Sequence, residues 1–252
     1  MAEAIAVSKS LRKFFAIGVA LASASIASCS IADDTPSYRY RLKVEIETPE
    51  GLRAGSSVIE VDTAVSTGIP TPGAVQTRYR GEAVAVDLGE RGTLFALMQS
   101  NERRDWAAQV MFLLAPSGVN SEGDRFLGRY QNMLKMRQEI ALPRLYNASR
   151  YERASTGIPT LVTFKDMSDP QSVQRVDPEN LAELFGEGVI LRTISVQMTD
   201  EPVTDRIESH LTWLDEYRRS WLNGNSNVYE DLTVDDLSAH LTAANFDTEY
   251  AK

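Results

Sequence analysis

The residues that could do chemistry in this chain are few, and their spacing excludes more than it offers. There is one cysteine, Cys29, so neither an internal disulfide nor a Cys-x-x-Cys metal or redox motif can form. The two histidines, His210 and His240, stand far apart and outside H-E-x-x-H spacing. His210 is expected to pack or make a simple hydrogen bond beside Leu211 and Trp213, and His240 to face water. No G-x-S-x-G or S-x-x-K motif marks an activated serine. No Walker loop or G-x-G-x-x-G marks a nucleotide site, and the acidic pairs Glu230-Asp231 and Asp235-Asp236 lack calcium-loop spacing. No catalytic residue, metal ligand or cofactor site is therefore assigned. Two carboxylates distant in sequence could still meet in space as an acid/base pair, but 35 acidic residues offer no reason to choose any two. The one patch with binding character is Trp213, Tyr217, Arg218 and Trp221. Trp, Tyr and Arg anchor interfaces, although spacing of four also builds the buried stripe of a helix.

The cysteine gains meaning from what precedes it. Residues 8–13 (SKSLRK) carry three positive charges, and residues 14–28 (FFAIGVALASASIAS) are apolar or small and uncharged. That is the layout of a secretory signal, shorter than the roughly 20 residues a spanning helix needs. Ile26-Ala27-Ser28-Cys29 resembles the bacterial lipobox. The resemblance implies cleavage before Cys29, lipidation of that cysteine with a diacylglyceryl group and a further acyl chain such as palmitate, and anchoring outside a membrane. Ser30, in place of an aspartate, resembles an outer-membrane address. An ordinary cleavable signal with a coincidental cysteine is the alternative. Residues 1–28 are expected to be the signal peptide and 29–37 (CSIADDTPS) a tether.

Removing residues 1–28 takes away three positive charges and one negative, moving the net charge from −9 to −11. So acidic a body, without a basic run, is a poor match for phosphate backbones, and nucleic-acid binding is not expected. A hydrophobic content of 43% suffices for a core without disulfides or metals.

The elements that would position these residues fall in two blocks. Residues 38–47 (YRYRLKVEIE) put large or apolar side chains on even positions, a strand with one buried face. Further strands are expected at 57–61, 74–79, 82–88 and 93–99, separated by Gly-bearing turns. Helices are expected at 104–114, 124–142, 178–185, 203–222 and 233–244, with strands at 160–164 and 189–198. The fold class is α+β: an N-terminal antiparallel β-sheet followed by mixed helices and strands after a cleaved signal peptide. Residues 38–252 are read as one domain, with a sub-boundary possible near 117–124. The hexapeptide Ser66–Thr71 (STGIPT) recurs at Ser155–Thr160. It marks either two equivalent loops lining one site or a recurrent way of leading the chain into a strand.

YRYRLKVEIETPEGLRAGSSVIEV and IPTLVTFKDMSDPQSVQRVDPENLAELFGEGVIL resemble a family of small proteobacterial lipoproteins. The resemblance implies export and lipidation and carries no functional residues to transfer. The expected role is a membrane-anchored, non-enzymatic binding or adaptor module with a protein partner in the cell envelope. The alternative is an acid-dependent hydrolase acting on envelope polymers.

Overall fold

The structure is a computed structural model, and it describes residues 34–66, 73–145, 157–226 and 236–250. Alternation in the first strand organises everything else. In β1 (Tyr38–Thr48) the side chains of Tyr40, Leu42, Val44 and Ile46 are buried while the charged residues between them reach the other face. β1 pairs with β2 (Gly51–Val65) through a tight turn at Pro49-Glu50, and Gly51 there has φ 121°, in the region only glycine adopts freely. β2 continues into β3 (Val75–Arg80). On its other edge β1 pairs with β9 (Ile190–Met198), with a register shift between Glu45 and Ile46, and β9 pairs with the two-residue β6 (Ile140–Ala141). The order of this first sheet is β3-β2-β1-β9-β6, antiparallel throughout.

The second sheet has the order β4-β5-β7-β8: β4 (Val84–Asp87), β5 (Thr93–Ala96), β7 (Leu161–Phe164) and β8 (Val173–Arg175). Its strand β7 is buried on both faces, which is why LVTF reads as an almost wholly apolar run. Val84, Val86, Leu94 and Ala96 join the inner face of the first sheet and helix α1 (Trp106–Leu114) in one core. Phe95, Leu97, Val162 and Phe164 face a second core completed by residues from the C-terminal segment. The two sheets meet so closely that a side chain at Gly55 would lie 2.1 Å from the Ala85 carbonyl oxygen, so only glycine fits there.

The buried aromatics place their polar atoms on backbone carbonyls, as their burial demands. Tyr40 donates to Ala107 O at 2.7 Å, Trp106 to Gly157 O at 3.3 Å and Tyr130 to Pro36 O at 2.9 Å. Burial pushes the Tyr38 hydroxyl pKa well above its ordinary value. Thr35 is buried and donates to Thr63 O, so the body takes hold two residues inside the stretch read as tether. The described residues from Asp34 onward belong to one compact unit, and the α+β class is as expected.

Four expected helices differ. Helix α2 runs Arg125–Leu134, its first turn capped by the Asp124 carboxylate accepting from Leu127 N. It stops well short of 142 because Ile140 and Ala141 complete the edge of β9 instead. The stretch 203–222 is not an α-helix. It holds a 3-10 turn at Ile207–Ser209 followed by successive turns. At 100° per residue, Ile207, Leu211, Leu214 and Leu222 share a helical face that excludes Trp213. Burying Trp213 with them, its indole N–H on Met167 O, requires the helix to break. The stretch 233–244, described from Asp236, holds 3-10 turns at Leu237–Ala239 and Ala243–Asn245. A bridge between Trp221 and Thr242 forces extended backbone between them. Helix α3 is short, Ala182–Phe185, and Arg91 donates to Phe185 O at its end.

Candidate functional site

The outer face of the first sheet is where the charged odd positions of β1 meet residues from distant parts of the chain. Register places Lys43 opposite Ser195 of β9 and Ser56 of β2, and Arg41 opposite Gln197. Residues 201–210 rise beside them as a wall, joined to β2 by Thr204, which receives Val58 N at 3.0 Å. Together with Glu139 they enclose a cleft of about 740 Å³, lined by Arg41, Lys43, Ser195, Gln197, Arg206 and His210 among others.

Its charges are paired. Arg41 donates to the Glu201 carboxylate. Lys43 Nζ lies 2.8 Å from Glu45 Oε1 and 3.6 Å from Glu139 Oε1, and Ser195 donates its hydroxyl to that same Glu139 oxygen. The Arg206 guanidinium approaches Glu82 to 3.8 Å and donates to Ser56 O at 2.6 Å. The hydrogen bond to Glu45, with the Glu139 charge nearby, raises the Lys43 pKa. The bond from Ser195, then the Lys43 charge, lowers that of Glu139, and the bond from Arg41 lowers that of Glu201. Nucleophilic attack by a serine needs a neighbour able to take its proton near neutral pH. Here the lysine is held protonated and the carboxylate is held ionised and weakened as a base. The trio is tuned toward fixed charge and hydrogen bonding, and away from proton transfer.

Two carboxyl groups behind the wall are more unusual. Glu82 is 2% exposed and Asp247 4% exposed, and they are cross-strand partners in an isolated bridge. Glu82 Oε2 accepts from both Arg206 N and Ile207 N at 2.6 Å. Asp247 accepts from Glu249 N at 2.8 Å, and its pKa is pushed up to about 6, chiefly by burial, with the Glu82, Asp205 and Glu249 charges adding. Glu82 lines the main cleft, whereas Asp247 lines a second one of about 310 Å³. Each therefore opens to a different cleft. Among the described residues, no three His, Cys, Asp or Glu side chains gather as a metal ion would require.

The residues singled out from sequence lie elsewhere. Trp213 is buried in the second core, edge-on to Phe164 and to Tyr217, and so is not available to a partner. Tyr217 and Trp221 are half-buried. Arg218 lies 4.5 Å over the Tyr250 ring, donates to Glu249 O at 2.9 Å and pairs with Asp215. Surface contact thus falls to Tyr217, Arg218 and Trp221. His210 does not sit on a helix. It stands exposed on the cleft wall, edge-on to Phe95, while His240 is exposed as expected. Cys29, the signal segment and most of the first STGIPT copy lie outside the described residues. In the second copy, Gly157–Thr160 leads directly into β7, and a side chain at Gly157 would strike the Pro143 carbonyl oxygen at 1.8 Å.

The cleft residues Arg41, Lys43, Glu139, Ser195 and Arg206 were not singled out from sequence. The alternation of β1 did place Arg41 and Lys43 on an open sheet face. Apart from Glu45, two residues along β1 from Lys43, their partners come from strands and loops roughly 100 to 160 residues away, which no local pattern links. No known protein family, no curated protein and no solved structure matches the chain.

Proposed function

We propose that the protein is a lipid-anchored envelope lipoprotein, attached through Cys29, whose body binds a hydrogen-bonding ligand of little net charge in the cleft on the open face of the first sheet. The observation that carries the binding role is the set of pairs Arg41–Glu201, Lys43–Glu139 and Arg206–Glu82 around one cavity. They offer donors and acceptors in balance, which suits a ligand presenting both and gives no advantage to an anion. Their protonation disfavours turnover of what is bound. The buried pair Glu82 and Asp247, open to separate clefts, disfavours a two-carboxylate hydrolase acting on envelope polymers. Tyr217, Arg218 and Trp221 remain the surface for a protein partner.

The anchor is supported by the lipobox resemblance and by geometry. Thr35, where the body takes hold, is six positions beyond Cys29, so the fold would stand within roughly 20 Å of the bilayer surface. Among the described residues no helix is long and apolar enough to cross a membrane.

Intact mass and membrane fractionation of the native chain beside Cys29→Ala test the anchor. The wild type is expected to lack residues 1–28, carry lipid mass and sediment with membranes, and the variant to do none of these. Two full-length soluble proteins would overturn it. Titration of the isotope-labelled body with the uncharged N-acetylglucosamine disaccharide, a fragment of envelope polymers, tests the cleft. Amide shifts are expected at Arg41, Lys43, Ser195 and Gln197 and are expected to weaken at least tenfold in Arg41→Glu. No shifts at millimolar fragment would overturn it.

A further inference from the structure

The Glu82–Asp247 bridge has a specific geometry. Ala83 N donates to Phe246 O at 2.7 Å and Thr248 N donates to Gly81 O at 3.0 Å. The bonds therefore flank the pair, which makes Glu82 and Asp247 a non-hydrogen-bonded antiparallel pair. In such pairs the Cα atoms are only about 4.5 Å apart and the side chains project to the same side at closest approach. Like charges directly opposite one another destabilise a strand pair, and here both groups are more than nine-tenths buried.

Each carboxyl group also fastens something. Glu82 holds the Arg206 and Ile207 amides, which fixes the 203–210 wall of the cleft. Asp247 holds the Glu249 amide in the final turn, where Thr248 Oγ1 accepts from Gly81 N and Tyr250 donates to Glu208. The wall, the 81–83 segment and the 246–250 turn converge on this one pair.

The groups facing Asp247 offer it little relief. Glu82 stands across the bridge, Asp205 on the wall and Glu249 on its own turn, all acidic. Arg39 from β1 and Arg80 from β3 line the same small cleft, yet both are committed to Glu60, at 2.5 and 3.0 Å. Arg206 is directed to Glu82. Among the described residues, no Lys or Arg nitrogen lies within ion-pair distance of Asp247.

We propose that the Glu82–Asp247 pair is a proton-operated clasp: a proton on the Asp247 carboxyl group, directly across the bridge from Glu82, keeps the 203–210 wall and the 246–250 turn closed, and its loss loosens both. The sign follows from linkage. The raised Asp247 pKa, about 6, means that the closed form binds the proton more tightly than a loosened form in which the carboxyl group is hydrated. Acid therefore closes the clasp. Opening becomes easier as pH rises from about 4 to 6 and levels off above that, with a span of up to about 100-fold in the opening equilibrium. The inference is independent of what occupies the cleft.

Hydrogen exchange of the full chain, corrected for intrinsic rates, reads this directly. Protection of the Ala83, Arg206, Ile207 and Thr248 amides is expected to fall severalfold to about tenfold between pH 5 and pH 7.5, while Leu42 and Val44 in β1 stay constant. Asp247→Asn keeps an acceptor for Glu249 N and removes the charge. It is expected to hold the acid-level protection at both pH values, whereas His210→Gln, which replaces the histidine at the end of the wall, is expected to retain the wild-type dependence. Equal protection of those four amides at pH 5 and 7.5 in the wild type overturns the clasp, and so does a pH dependence that survives in Asp247→Asn or disappears in His210→Gln. The wild-type measurement decides the matter even where a variant does not fold.

Discussion

The first sheet and the C-terminal segment after residue 203 are built on opposite plans. In the sheet, β1 is paired along almost its whole length on both sides, and one period-two pattern sets its register, its buried face and its charged face together. From residue 203 on, the described residues contain no α-helix and no extended strand. They hold 3-10 turns of three residues and two isolated bridges. That segment is held by individual anchors: the Glu82 carboxylate on two amides, the Trp213 indole on Met167 O, and apolar side chains from Ile207 to Phe246 on the second sheet. A repeating hydrogen-bond ladder distributes its stability over many residues. A segment fixed at points concentrates it in a few, and should open on its own.

The largest effects test that contrast. Phe246 is fully buried, with rings of Phe95, Phe164 and Trp213 about it at 5.8 to 6.0 Å. Phe246→Ala is expected to cost about 3–5 kcal/mol. Leu42→Ala in the middle of β1 is expected to cost a comparable 2–5 kcal/mol or so. The distribution of the damage should differ. In Phe246→Ala, exchange protection is expected to collapse at 203–250 while β1 and β9 amides keep theirs. In Leu42→Ala, protection should fall across the body together. A uniform loss in both variants would mean that the two regions are one cooperative unit.

A smaller change sharpens the sheet side. Tyr40 links β1 to α1 through its bond to Ala107 O. Tyr40→Phe removes this bond to a carbonyl within α1 and is expected to cost about 1–1.5 kcal/mol by chemical denaturation. Equal stability in the variant would show that the carbonyl finds another partner.

How much of this was legible depends on where each element's instructions reside. The alternation of YRYRLKVEIE gives β1, and the apolar stretches give β5, β7 and β9, because those strands satisfy a local pattern that the tertiary structure also requires. Residues 203–222 and 233–244 carry helical spacing that the fold overrides. Trp213 must reach the second core, and Thr242 must run extended beside Trp221. The pair Glu82 and Asp247 was invisible for a related reason. Its members are 165 positions apart, and nothing in EAVAVDL or NFDTEY distinguishes them from the many other acids. Only topology makes them neighbours.

On the C-terminal side, stability should depend on pH with the opposite sign to a salt-bridged acid. The folded-state pKa of Asp247, about 6, lies above its ordinary value near 4. The destabilisation is therefore fully present above about pH 6 and fades as pH falls toward 4. Asp247→Asn is expected to raise stability by about 1–2 kcal/mol at pH 7.5 and to give no gain at pH 4. Urea midpoints of the two proteins at both pH values check this, and a gain independent of pH would assign the effect to packing.

The smallest effect belongs to the sheet. Ser57 is 1% exposed in β2, opposite Leu42, and its hydroxyl has no hydrogen-bond partner. Among the described residues, Ser57 is the one place where a buried side-chain polar atom has no hydrogen-bond partner. Ser57→Ala removes the hydroxyl and leaves the register of β1 and β2 unchanged. A buried, unpaired hydroxyl costs more than the packing that its small volume contributes. The variant is thus expected to be as stable as the wild type or more stable by about 0.5–1 kcal/mol. A loss of 1 kcal/mol or more would mean that the hydroxyl has a partner in solution, an internal water at the β1–β2 core being the simplest. The sheet would then share with the C-terminal segment a dependence on point contacts that its regular pattern conceals.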